Sequence, residues 1–125
     1  MKVLNPATVM PPQGGYSQGI QAGELVFVAG QVGLDADGKP TGDGGMAAQT
    51  RQTIANIIAV LAEAGATLAD VVSATVYVKD FSEYKINRTA MKCYSCSTTE
   101  FIMNSCRWKN TEKIFRLRFL LKKLS

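Results

Sequence analysis

The 125-residue chain contains no histidine. That removes the commonest general base, the commonest metal ligand and every Ser-His or Cys-His nucleophile pair. Of the remaining reactive groups, three are thiols: Cys93 and Cys96, in the spacing Cys-x-x-Cys, and Cys106. A structural zinc wants four ligands, and here only a distant carboxylate is left to complete the set. We therefore read three reduced thiols and no metal. Lys109, Lys113, Arg116, Arg118, Lys122 and Lys123 are interleaved with Trp108, Phe115 and Phe119. Such a segment is either a nucleic-acid contact or a basic amphipathic stretch with no partner. Phe115 to Phe119 alternates as a strand does, whereas Ile114, Leu117, Leu121 and Leu124 share a helical face, so both readings stay open.

The composition, 46% hydrophobic and 19% charged, describes one domain over 1–125 that buries about two-thirds of its unfolded surface. A multidomain enzyme, a collagen-like chain and a charge-rich disordered segment are excluded. The longest apolar runs are too short to cross a bilayer and no basic-then-apolar leader opens the chain, so we expect a cytoplasmic protein with no membrane partner. The net charge of +4 conceals an asymmetry: residues 1–84 carry four basic and eight acidic residues, residues 85–125 ten basic and two acidic. All eleven Gly lie at or before Gly65, all four Pro at or before Pro40, and no Ala, Val, Gly, Pro or Asp occurs from Met91 onward. Residues 1–84 and 85–125 thus differ in kind.

Local signals place the elements of the first part. Pro11-Pro12-Gln13-Gly14-Gly15 is a loop, and Leu25 to Ala29 a short buried strand entered through Gly23 and left through Gly30. Asp35 to Pro40 is a turn cluster and Gly42 to Gly45 a further loop. Met46 to Ala64 is a helix, with Ile54, Ile57, Ile58 and Leu61 as its apolar stripe and Gly65 as its stop. Thr67 and Asp70 have capping-box spacing before one further turn. Val71 to Val78 is the clearest strand, with Val72, Ala74, Val76 and Val78 on one face and Val71, Ser73, Thr75 and Tyr77 on the other. Strand, helix and strand in this order form a crossover that lays the helix on a sheet.

Five segments then occur in an informative order: Gly15-Tyr16-Ser17-Gln18-Gly19, Val26 to Gln31, Gln49 to Thr53 with Asn56-Ile57, Ala64-Gly65-Ala66, and Val76 to Asp80. Together they resemble the RidA/YjgF family, also called endoribonuclease L-PSP, over about residues 5–84. The resemblance implies an α+β, chorismate-mutase-like fold, a sheet with two helices on one face. It also implies a homotrimer with pockets at subunit boundaries, sheets closed around a central barrel, and no cofactor. The implied activity is 2-iminobutanoate/2-iminopropanoate deamination: hydrolysis of reactive imines to 2-keto acids and ammonia, a detoxification. This chemistry does not need histidine. An imine carbon is already electrophilic, so the protein must hold the substrate carboxylate, orient one water and exclude bulk solvent. By the resemblance Tyr16, Ala29, Gly30 and Gln31 match one wall of the pocket and Asn87 the asparagine of the second helix. Ala29 replaces the family's usual serine. By the residues alone, Tyr16 is a half-buried loop aromatic and Gly30 a strand-ending bulge.

The second wall departs from the family. Asn87 stands one residue too close to Asp80, and with no proline after Pro40 neither the Pro-Ala-Arg nor the Leu-Pro segment exists. The nearest candidate for the carboxylate-clamping arginine is Arg107, although spacing from Asn87 points to Asn104. No acidic residue follows Glu112, and Arg116 and Arg118 stand where the family's last strand alternates Glu. The water-positioning carboxylate is missing, so we expect impaired hydrolysis. The alternative is a non-catalytic trimeric module that binds a small molecule or RNA. We read the break after about Tyr84 as a shifted reading frame, an unspliced intron or a gene fusion, which the other two frames of the coding DNA would test.

Overall fold

The computed structural model describes residues 1–77, 100–104 and 116–122. One sheet holds six strands in the order β1-β2-β3-β6-β4-β5: β1 Lys2–Leu4, β2 Gly19–Ala22, β3 Leu25–Gln31, β4 Val71–Tyr77, β5 Glu100–Asn104 and β6 Arg116–Lys122. Neighbours are antiparallel except β4 and β5, which are parallel. Helix α1, Met46–Glu63, connects β3 to β4, and β6 inserts between these two strands. Both pair antiparallel with β6, so β3, α1 and β4 form the expected parallel crossover. The fold is α+β. The second helix of the expected pair falls outside the described residues, as do Val78, Asn87, Arg107 and the three cysteines.

Strands β2 and β3 are joined by the two residues Gly23 and Glu24, with Ala22 opposite Leu25 and Gly23 at φ 59°. A positive φ at the first position of a two-residue hairpin is a glycine conformation. Gly65, at φ 66°, ends α1. Its N–H donates to the Ala62 carbonyl and the Ala66 N–H to that of Leu61, each at 3.0 Å, which is a Schellman closure. The last turn of α1 has no basic residue of its own, and Lys2 of β1 supplies the cation by donating to the Glu63 carbonyl at 2.6 Å. After Thr67 the expected extra turn is a 3-10 turn, Leu68–Asp70, in which the Thr67 N–H donates to the Asp70 carboxylate at 2.8 Å.

The core lies between α1 and one sheet face. Leu4, Val26 and Val28 meet Ile57, Val60, Leu61, Val71 and Ala74 there. Three local expectations need correction. Ile58 is exposed, because the buried stripe is centred on Ile57 and runs through Thr50, Thr53, Ile57, Val60, Leu61 and Ala64. Val71 and Ala74 belong to the same core, against strict alternation, because the β4–β6 register shifts between Val71 and Ser73. β3 does not stop at Gly30; it bulges there and continues to Gln31. For Arg116 to Lys122 the strand reading holds, and the helical one fails because each edge of the segment has a partner strand.

Candidate functional site

Besides the Val71–Ser73 shift on β4, the described sheet is irregular at the end of β3. Val28 pairs with Phe119 and Gln31 with Leu117, so Ala29 and Gly30 together stand opposite the single residue Arg118. This is a bulge, a device that re-aims the chain and recurs beside active sites. Out of the ladder, the Ala29 N–H donates to the Gln18 carbonyl at 2.9 Å.

Two buried amides fix the bulge from below. Gln31 Nε2 donates to Gln18 Oε1 at 2.7 Å and to the Ala29 carbonyl at 3.2 Å. Gln18 Nε2 donates onward to the Met10 carbonyl at 2.5 Å, and the Gln18 N–H to Asn5 Oδ1 at 2.8 Å. Four segments distant in sequence are thereby tied at one point. Such buried amides are favourable only when satisfied, and each bond contributes about 1 kcal/mol net.

Tyr16, two residues before Gln18, is 47% exposed, and its N–H donates to the Gly14 carbonyl at 2.9 Å. The structure thus brings Ala29 and Gln31, with Gly30 between them, to one buried node at Gln18, and shows no bond from Tyr16 to it. Tyr16 is at the surface, Ala29 and Gly30 are half-buried, and Gln31 lies inside with its amide engaged by protein atoms.

Sequence reasoning gave no role to Gln18 or Asn56, although both fall in the quoted segments. Asn56 Nδ2 donates to the carbonyls of Val32 and Leu34, at 3.2 and 2.9 Å, and its Oδ1 accepts from Gln52 at 2.8 Å. It pins the chain leaving β3 to α1. Asn5 and Met10 gave no sequence signal, since one contributes an isolated side chain and the other only its backbone.

Between Thr50 and Asn56 on α1, the Thr53 hydroxyl is fully buried and has no hydrogen-bond partner among the described residues. An unsatisfied buried hydroxyl costs about 1–3 kcal/mol. Thr53→Val, of nearly the same shape, is expected to raise unfolding stability by about 1 kcal/mol. A loss in urea unfolding would instead reveal a partner for the hydroxyl. Among the described residues no group of His, Cys, Asp and Glu is placed to hold a metal ion, and no helix is long and apolar enough to cross a membrane.

The model of the endoribonuclease L-PSP family matches residues 7–106. The chain belongs to that family. The match runs past residue 84, into the part whose composition differs. A RutC family protein of Pyrococcus abyssi is 47% identical over 73 residues, 58% of each chain. The 2-iminobutanoate/2-iminopropanoate deaminase of Salmonella typhimurium is 31% identical over 102 residues, 81% of this chain and 76% of that one. The chain spans 58% of the length of two Pyrococcus relatives and 65% of a Synechocystis one. RidA from an Antarctic Psychrobacter has the same fold, with a TM-score of 0.87 at 22% identity over 98% of this chain and 99% of that one. The L-PSP family thus includes imine deaminases, and its fold extends over nearly the whole chain.

Proposed function

We propose that this chain carries the family's site for small 2-imino acids, with hydrolysis to 2-keto acid and ammonia impaired. The first part of that reading is supported by the bulge at Ala29–Gly30, held by the Gln18 and Gln31 amides, and by Tyr16, two residues before Gln18 in the chain. Impairment is supported by the residue opposite the bulge, which is Arg118 and not a carboxylate. A dehydratase that releases 2-iminopropanoate, coupled to detection of the keto acid, tests the reading. A small acceleration over the dehydratase alone that saturates with imine is expected. No acceleration at any protein concentration would favour the non-catalytic binding module, which the basic segment 85–125 would direct toward RNA.

A homotrimer is part of the same proposal. Val3 and Ile20, then Ile20 and Phe27, are paired across β1, β2 and β3, so they form one row on the face away from α1. Val3 is 55% exposed, Phe27 45% and Leu25, on the same face, 40%. An apolar row of this kind suits burial against further copies. Light scattering is expected to give three times the 13.5 kDa chain mass, and Phe27→Lys to give 13.5 kDa. A 13.5 kDa species for the unaltered chain would refute the trimer.

A further inference from the structure

We propose that Gln18 is the positioning residue of the imino-acid site, an assignment that rests on the reading above. It opens the end of the β2–β3 pair and holds Gly30 in the opening.

The register locates the opening. Gly19 is paired with Val28, so Gln18 stands opposite Ala29 one step further on. A hydrogen-bonded antiparallel pair exchanges two backbone bonds. Here one is made, from the Ala29 N–H to the Gln18 carbonyl at 2.9 Å. The Gln18 N–H turns away and donates to Asn5 Oδ1 at 2.8 Å. Deprived of that donor, the Ala29 carbonyl accepts from Gln31 Nε2 at 3.2 Å instead.

The Gln18 side chain closes the ring. Its Oε1 accepts from Gln31 Nε2 at 2.7 Å, so Gln18 holds Ala29 through the backbone and Gln31 through the side chain. Gly30 lies between the two. The amide orientations follow from the far end of the chain of bonds. The Met10 carbonyl can only accept, so Gln18 turns Nε2 to it and Oε1 to Gln31, which must present Nε2 in return. Met10 is itself backed by the 35–40 turn, where a Cβ at Gly38 would meet its Sδ at 3.0 Å.

Gln18 and Gln31 are 4% and 3% exposed. Two apolar side chains would fill the same space without the cost of desolvating two amides. They would leave the Ala29 carbonyl without a donor, and a strand pair opened in the interior must supply one. The two amides are therefore explained by the opening and not by core packing. A glycine at a strand irregularity marks a place where a ligand can approach the backbone closely. Such a place binds only if its support keeps it within roughly 0.5 Å.

The test is a titration of the full ¹⁵N-labelled chain with 2-oxobutanoate, followed at the Gly30 amide, beside urea unfolding of every variant. The unaltered chain is expected to give a saturable shift. Gln18→Met, which keeps the length and loses both amide bonds, should weaken binding about tenfold or more. Ile57→Val, a core change that leaves both amides in place, should lower stability and bind within about twofold of the unaltered chain. If Gln18→Met fails to fold, Gln18→Asn, one methylene short of both partners, carries the test with the same expected loss. Unchanged affinity in a folded Gln18 variant would overturn the assignment. So would equal weakening in Ile57→Val, which would reduce the effect to lost stability. No response from the unaltered chain would overturn the imino-acid reading itself and this assignment with it.

Discussion

Replacing Gly33 with alanine is expected to destabilise the fold by about 3 kcal/mol, through contact and not through backbone strain. A Cβ at this position would meet Gln49 Cα at 2.5 Å and Cβ at 2.6 Å. Those atoms belong to α1 and cannot swing aside as the end of a flexible side chain can. To make room, the helix or the chain after β3 must move, and the Asn56 amide bonds to Val32 and Leu34 lie on either side of the intrusion. Overpacking of this sort costs roughly 1–3 kcal/mol, and two weakened amide bonds add about 1 kcal/mol each at most. For a chain of this size a loss of 3 kcal/mol lowers Tm by roughly 12 °C. Gly14→Ala and Gly15→Ala serve as controls, because a Cβ at either position has nothing within 4 Å. A Gly33→Ala loss below about 1 kcal/mol, measured by denaturant unfolding, would show that α1 shifts freely and that the β3 end is not pinned to it.

The contrast between Gly33 and Gly65 shows what sequence discloses. Gly65 ends a helix through a local backbone conformation, and a glycine after an apolar period signals that directly. Gly33 is glycine because a distant helix axis passes over it, and nothing within several residues records that. The same division holds elsewhere. Helix α1 and strand β4 were legible because each carries its own period, whereas β1 and β2 are three and four residues long and too short to show one. The apolar stripe of α1 was misplaced at Ile58 because four isoleucine and leucine positions outweighed Thr50 and Thr53, which the core also buries. Of the site, Tyr16 and the Ala29-Gly30-Gln31 segment were legible as a resemblance. The role of Gln18 was not, because its partners Asn5, Met10 and Gln31 are joined to it only by the folded sheet. Nor was the place of Arg118, since β6, last of the six strands in sequence, inserts between β3 and β4.

Beside the Salmonella deaminase, this chain is expected to hydrolyse 2-iminopropanoate at least about a hundredfold more slowly, with only a small saturable acceleration over buffer. A positioned general base contributes roughly 10²- to 10⁴-fold, and the chain has no acidic residue after Glu112 to serve as one on the last strand. What stands opposite the bulge is Arg118. A guanidinium does not take a proton from water. Arg107→Ala is expected to leave the slow rate unchanged. Were Arg107 the carboxylate clamp of a working site, losing a charge-assisted pair would cost about 1.5–3 kcal/mol and slow turnover roughly ten- to a hundredfold. The measurement is keto-acid release from a dehydratase-coupled assay, with the Salmonella enzyme run alongside. A rate well above buffer that Arg107→Ala abolishes would show that a carboxylate on the last strand is dispensable and that the working cation lies at position 107.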